Sequence, residues 1–504
     1  MNLVDHLELQ GSLQPEAPAL VEGSGKWVSF GELRRLSEGV AARLVMNGLK
    51  PGDRVMVFHP VSISLYAFLL GCFRAGVVVV FADPSGGREF LDQVARRVEP
   101  VGFFGSRKGH ALRWRSRLLR SIPKAFHPEG WWPRSVEAMR VGGEAEILDV
   151  GAEHPALITF TSGSTGLPKG AVRTHGFLLA QHAALSEALQ LRSGERDLVT
   201  LPVFALANLA SGVTSVVADA DLGRPGEANA RRIRRQCQQW RVTRATGSPA
   251  FFEALLRGPG FPELEKIFTG GGPVFSDLVD RLKAARSEMG VTAIYGSTEA
   301  EPVAEWTCGG WTEACREQVA GGGGLPVGRP VLEVAILPDR WGESLHALCP
   351  EAFSAMKLKL GERGEILVTG PQVLKGYLDG RGDEETKVRV GETIWHRTGD
   401  AGWLDERGCL WLVGRCAARM GNRYPLEIEA ALREVYPRKR TAAVAWQNQV
   451  ILVVEGEVDS AMEVRARELG CDRVLSFPEL PMDRRHQSKV NYPKLMERLA
   501  RSLG

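Results

Sequence analysis

The sequence predicts an α/β fold: a large, multi-subdomain region of parallel and mixed sheets covered by helices, followed by a small α+β domain. Three observations carry that expectation. Short apolar runs alternate with helix-length amphipathic runs from Trp27 onward, the order that parallel strands joined by crossover helices require. Several of the apolar runs end in glycine-rich stretches, at 161–170, 270–272 and 295–299, where strands of such sheets deliver their ends to a ligand. A length of 504 residues also exceeds what one hydrophobic core supports, and the expected boundary divides 1–415 from 416–504.

Taken in order, Ser29 can cap a helix over 30–47, and Gly48, Pro51 and Gly52 punctuate the chain before a short buried strand at 55–58. The most apolar stretch, 63–81, is broken by Arg74 and by Gly71 and Gly76. It reads as a buried helix followed by a strand at 77–81, not as a membrane span. Residues 105–150 are rich in Arg, Trp and Pro and carry little structural signal. Residues 156–160 read as a buried strand, and Thr174 can cap a helix with Phe177, Leu178, Leu185 and Leu189 on one face. The run 201–210 is apolar almost throughout, and strands at 266–269 and 291–294 each lead into glycine. Gly321 to Gly324 read as a flexible joint before a β-rich section that opens at Gly328. In the last part, 442–446 and 450–454 form an expected hairpin, and a helix over 459–469 is stopped by Gly470.

Composition excludes several classes. Apolar residues at 44% and charged residues at 24% are ordinary for a globular enzyme, and a formal charge of +3 gives no reason to expect a nucleic-acid partner. Arg231, Arg232, Arg234 and Arg235 are interleaved with Ile233, Cys237 and Trp240 at helical spacing, which reads as a solvated helix face over a core stripe. The eight cysteines include no Cys-x-x-Cys pair, and His346 with Cys349 is not half of a zinc site, so reduced thiols are expected. The first residues have neither a basic nor an apolar signal region, and a cytoplasmic location without a transmembrane segment is expected.

The chemistry begins at 161–170, Thr-Ser-Gly-Ser-Thr-Gly-Leu-Pro-Lys-Gly. Gly163, Gly166 and Gly170 free the backbone, Thr161, Ser162, Ser164 and Thr165 offer hydroxyl donors, and Lys169 adds a positive charge. That combination suits a polyphosphate. It is not a Walker A loop, because Pro168 precedes the lysine and Gly170 follows it. Further along stand Gly270, Gly271 and Gly272, then Tyr295, Gly296, Ser297, Thr298 and Glu299, then Gly364 to Gly370 with Gly376 and Tyr377, His396 to Asp400, Gly414 with Arg415, and Lys489 near the end.

In this order the stretches resemble the motifs of the adenylate-forming superfamily, whose members make acyl-AMP from ATP and a carboxylate. The resemblance covers nearly the full chain. It implies a small mobile C-terminal domain and the ligands ATP and Mg²⁺. It also implies a place for each residue. The glycines at 270–272 let the backbone approach a flat purine on which Tyr295 stacks. Thr298 donates to the α-phosphate and Glu299 is a hard oxygen ligand for Mg²⁺. The two oxygens of Asp400 suit the paired ribose hydroxyls, which Arg415 also reaches. Lys489 falls at the late catalytic lysine, where its ammonium meets the charge gathering between carboxylate and α-phosphate.

Two features narrow the resemblance. The segment between 415 and 425 is short, with Ala417 among the residues standing where a hinge Asp or Lys is usual, which puts CoA chemistry in doubt. Residues 201–206, 247–250, 295–303 and 483–490 together resemble olefin β-lactone synthetases and long-chain acyl-CoA-ligase-like proteins. Where amino-acid-activating members hold an ammonium with Asp, this chain has Ala205 and Leu206, which implies a hydrophobic acid, plain or 3-hydroxylated. An ordinary fatty acyl-CoA or acyl-AMP ligase and a catalytically inactive nucleotide-binding module stay open as alternatives, as does association with enzymes of the same pathway.

Overall fold

The computed structural model describes residues 2–128, 146–162, 168–307, 309, 311–345, 347–482 and 489–503. Gly163, Ser164, Thr165 and Gly166, His346, and the 483–488 part of the C-terminal motif lie outside them. The chain forms two compact units, Met1–Val217 with Pro371–Asp383, and Ala218–Gly370 with Glu384–Gly504. Both mix helices and strands, and the α/β class stands.

In the first unit a sheet runs in the order Lys124–Phe126, Gly102–Gly105, Arg54–Phe58, Val78–Ala82, Pro155–Ser162, Pro168–Thr174. Its pairings are parallel until the last, which is an antiparallel hairpin. The helix Phe30–Met46 begins at the expected Ser29, which accepts from Glu32 N in a capping box. The helix Ile63–Arg74 packs on it so closely that a Cβ on Gly71 would lie 2.4 Å from Val40 Cγ1, which accounts for a glycine inside an otherwise apolar helix. Val78–Ala82 follows as the expected strand, and among the described residues no helix is long and apolar enough to cross a membrane.

In the second unit Arg244–Gly247, Lys266–Gly270 and Gly290–Ser297 are parallel neighbours. Antiparallel strands then follow in the order Ala300–Thr307, Leu325–Pro330, Leu410–Arg415, Thr393–Leu404, Gly364–Thr369, Glu333–Leu337. Nearer the C-terminus, Thr441–Trp446 and Gln449–Glu455 form the expected hairpin, with Gln447 and Asn448 both at positive φ, and Arg473–Phe477 adds in parallel. The helix Ser460–Glu468 is capped by Asp459 and ends before Gly470 at φ 83°.

Two expectations need correction, and one unassigned region gains structure. The glycines at 321–324 are not a loose joint. Gly322, Gly323 and Gly324 are buried, Trp403 Nε1 donates to Gly323 O at 2.9 Å, and a Cβ on Gly324 would lie 2.2 Å from Leu412 O, so their lack of side chains serves close packing. Tyr295, Gly296 and Ser297 do not lie beyond their strand but form its last residues. Within the unassigned 105–150 region, Arg107–Arg115 and Arg117–Ser121 are helices, each N-capped by a serine.

Candidate functional site

The centre of the site in the second unit is Asp400. It lies inside the strand Thr393–Leu404, directly across from Arg415 in the antiparallel register with Leu410–Arg415. That pairing brings Arg415 Nε to 3.2 Å from Asp400 Oδ1, while Arg415 Nη1 donates to Thr398 O at 3.0 Å. Tyr295, on Gly290–Ser297, donates its hydroxyl to Asp400 Oδ2 at 2.7 Å. Burial, and then the charge of Asp400, push the Tyr295 hydroxyl well above its ordinary range, so it stays a donor. Arg415 is held above its usual value chiefly by Asp400, with Tyr295 and Glu299 adding to the field. Asp400 thus faces two donors and keeps lone pairs to spare.

Below Asp400 the strand is pinned. The Asp400 N–H donates to Thr398 Oγ1 at 3.0 Å, and the Thr398 hydroxyl donates to Ile366 O at 2.9 Å. Arg397 and Glu365 form a fully buried bidentate pair at 2.9 and 2.7 Å, and Arg397 also donates to Glu343 O at 2.6 Å and Arg340 O at 2.9 Å. Gly399, at φ 70°, passes the ring of Trp341 so closely that a Cβ would lie 2.9 Å from it.

The glycine stretch sits beside Tyr295. Gly270 pairs in register with Ile294, where a Cβ would meet Ile294 O at 2.5 Å, and Gly271 is at φ 78°. Thr298 and Glu299 make the turn into Ala300–Thr307, and the Glu299 N–H donates to Ser297 Oγ at 3.3 Å. Lys489 is exposed and immediately precedes Val490, which bridges to Met482.

In the first unit the hairpin registers Thr161 opposite Lys169 and Ser162 opposite Pro168. The stem of Lys169 runs against Gly382, at φ 104°, where a Cβ would lie 2.9 Å from Lys169 Cδ. The helix Pro202–Ala210 buries Ala205 and Asn208 and leaves Leu206 half-buried. Asn208 donates to Asp197 at 3.0 Å and Ser215 at 3.2 Å, so it belongs to the core and not to a substrate wall.

The AMP-binding enzyme family matches residues 7–378. The chain is 32% identical to an olefin beta-lactone synthetase of Xanthomonas campestris pv. campestris, across 93% of this chain and 90% of that protein. It is 31% identical to one of Stenotrophomonas maltophilia, across 93% and 90%. The chain belongs to the AMP-binding enzyme family. Its fold is that of ATP-bound MatB from Rhodopseudomonas palustris, with a TM-score of 0.79 at 21% identity over 99% of both chains.

As an AMP-binding enzyme, this protein is an AMP-forming acid ligase that uses ATP. Sequence reasoning missed some of the scaffolding of its loops. Arg97 donates to Pro168 O, to Leu378 O at 2.8 Å, pairs with Asp379 at 3.3 Å and lies over the Phe160 ring, tying the strands Pro155–Ser162 and Pro168–Thr174 to the 371–383 segment. A basic residue in an amphipathic helix gives no sign of such contacts. The pair Arg397 and Glu365 sits inside two recognised motifs, and that position was the available signal.

Proposed function

We propose that this AMP-binding enzyme activates a fatty or 3-hydroxy fatty acid as its acyl-adenylate and, with a 3-hydroxy acid, closes a β-lactone. The carrying observation is Asp400, whose carboxylate is fixed by Tyr295 and Arg415 and still has acceptor capacity for a vicinal diol. Support for the acid comes from the two relatives named as olefin beta-lactone synthetases and from the uncharged Ala205 and Leu206.

In this reading the ring of Tyr295, clamped through its hydroxyl, offers a face to the adenine, and Gly270, Gly271 and Gly272 let the backbone lie close to it. Gly296 and Ser297 complete that wall. Thr161, Ser162, Gly163, Ser164, Thr165, Gly166 and Lys169 receive the β- and γ-phosphates, and Thr298 the α-phosphate. A carboxylate oxygen of the acid attacks the α-phosphorus, and the bond to pyrophosphate breaks. Lys489 offsets the repulsion between the two anions. The 3-hydroxyl oxygen then attacks the acyl carbonyl, loses its proton, and AMP leaves. Residues 416–504 serve as a small domain whose rotation brings Lys489 in. It has apolar clusters of its own around Leu452 and Val453.

Glu299 fits a magnesium ion that arrives with the nucleotide. Among the described residues no three His, Cys, Asp or Glu side chains gather as a metal cage, whereas Mg²⁺ characteristically takes one or two carboxylates and completes its shell with phosphate oxygens and water. Bound there, the metal supplies neutralisation of phosphate charge.

The test supplies ATP, Mg²⁺ and plain or 3-hydroxy fatty acids, with and without CoA, and identifies the organic product by mass. A β-lactone with AMP, formed without CoA, is expected. A thioester formed only with CoA would replace this reading by an acyl-CoA ligase. Lys489→Ala is expected to lose most pyrophosphate release while ATP still binds, and wild-type turnover by that variant would remove the lysine from the mechanism.

A further inference from the structure

Residues 106–124 hold seven Arg and Lys side chains and no Asp or Glu. The helix Arg107–Arg115 turns part of this inward. Gly109 is buried, where a Cβ would lie 2.5 Å from Phe58 O, and His110 Nε2 is 3.1 Å from Phe126 O. Arg113 uses its guanidinium on Leu119 O at 3.0 Å and Ile122 O at 2.6 Å. What remains outward is 107, 108, 111, 114 and 115, the spacing of a single helical face.

On that face Arg107, Lys108 and Arg115 are exposed and surround Trp114, which is 67% exposed, and the next helix adds exposed Arg117 and Arg120. Among the described residues none of these five cations enters an ion pair. The arginines at 231–235 differ. They lie on a helix whose Ile233 and Cys237 face the core, Arg232 pairs with Asp219 at 3.9 Å, and no large exposed aromatic stands among them.

A strongly cationic face complements an anionic surface, and the indole decides which. Single-stranded nucleic acid is held by successive stacking rings, whereas one exposed Trp among Arg and Lys suits the boundary between lipid headgroups and acyl chains. We propose that this face is a docking surface for anionic phospholipid bilayers, with the cations on headgroup phosphates and Trp114 at the acyl boundary. The inference does not depend on which acid the enzyme activates.

The full-length protein is sedimented with vesicles of phosphatidylcholine alone and of phosphatidylcholine mixed with phosphatidylglycerol, at low and high salt. Binding to the mixed vesicles only, weakened by salt, is expected. Each cation near such a surface contributes about fivefold, so Arg115→Glu with Arg117→Glu is expected to lower partitioning by more than roughly tenfold. Trp114→Ala is expected to weaken binding while its salt dependence stays. Pyrophosphate release by these variants on a short soluble acid stays at the wild-type rate, which shows that they are folded. Equal binding to both vesicle types, an unaltered charge-reversed variant, or duplex DNA bound more tightly than lipid would each overturn the proposal.

Discussion

The carboxylate of Asp400 accepts from Tyr295 on one oxygen and meets Arg415 on the other, and these contacts fix the plane in which its remaining lone pairs point. Removing the phenol should therefore disturb nucleotide binding more than chemistry. Tyr295→Phe loses a hydrogen bond to a charged acceptor, worth about 1.5–3 kcal/mol, and a KM for ATP raised by roughly ten- to a hundredfold is expected, with kcat changed far less. Asp400→Asn removes the charge that holds Arg415 and should cost more. Steady-state pyrophosphate release against ATP concentration checks both, and a Tyr295→Phe enzyme with unchanged KM would separate the phenol from the nucleotide. The residue types of this site were legible in the sequence because motif order names them. The contact between Tyr295 and Asp400 was not, since they stand 105 positions apart and no local pattern encodes which strands meet.

The helix Pro425–Val435 shows what periodicity leaves out. Its apolar side, with Ile428, Ala431 and Leu432, is an ordinary core stripe. Its charged residues are as deeply committed: Arg433 meets Asp277 through two 2.9 Å contacts, Glu434 pairs with Arg316 at 2.8 Å, and Glu427 with Arg363. Glu429 is buried and accepts from Ala443 N at 2.9 Å and from Tyr492 OH at 2.6 Å, which ties the C-terminal helix Tyr492–Leu503 to this one. Burial raises its carboxyl from 4.5 to about 7. A raised acid stabilises the fold fully below its unfolded value and loses that contribution as pH rises through the folded value. Wild type should thus lose on the order of 2–3 kcal/mol between about pH 5 and 7 from this group, and Glu429→Gln should not. Melting temperature against pH measures this, and parallel profiles for the two proteins would show that Glu429 does not titrate in the fold.

For the whole molecule, strand and helix alternation, the Ser29 and Thr174 caps and the late hairpin could be read from the sequence because each is set by local chemistry. The division into compact units could not, because Pro371–Asp383 joins the first unit by contacts distant in sequence, such as Arg97 with Asp379. That division carries a prediction about acid. In the first unit His175 is buried and His182 half-buried; His175 Nδ1 accepts from Leu3 N at 3.3 Å, and His182 stacks on His6 at 4.7 Å with Ser211 Oγ 3.2 Å from its Nε2. Burial first, then the neighbouring histidines, lowers both from 6.5 to about 4. Such groups stabilise the fold above the unfolded value, and that contribution is lost as pH falls from there toward 4, because the unfolded chain takes up the protons sooner. Glu429 in the second unit has the opposite sign over an overlapping range. Acidification from roughly pH 7.5 to about pH 5 should consequently loosen the first unit while relieving a strain in the second. Peptide-resolved hydrogen exchange at the two pH values, corrected for intrinsic rates, is expected to show protection falling around His175 and His182 and rising around Glu429. Equal change in both places would mean that the two units respond to protons as one cooperative body and that these groups do not set the response.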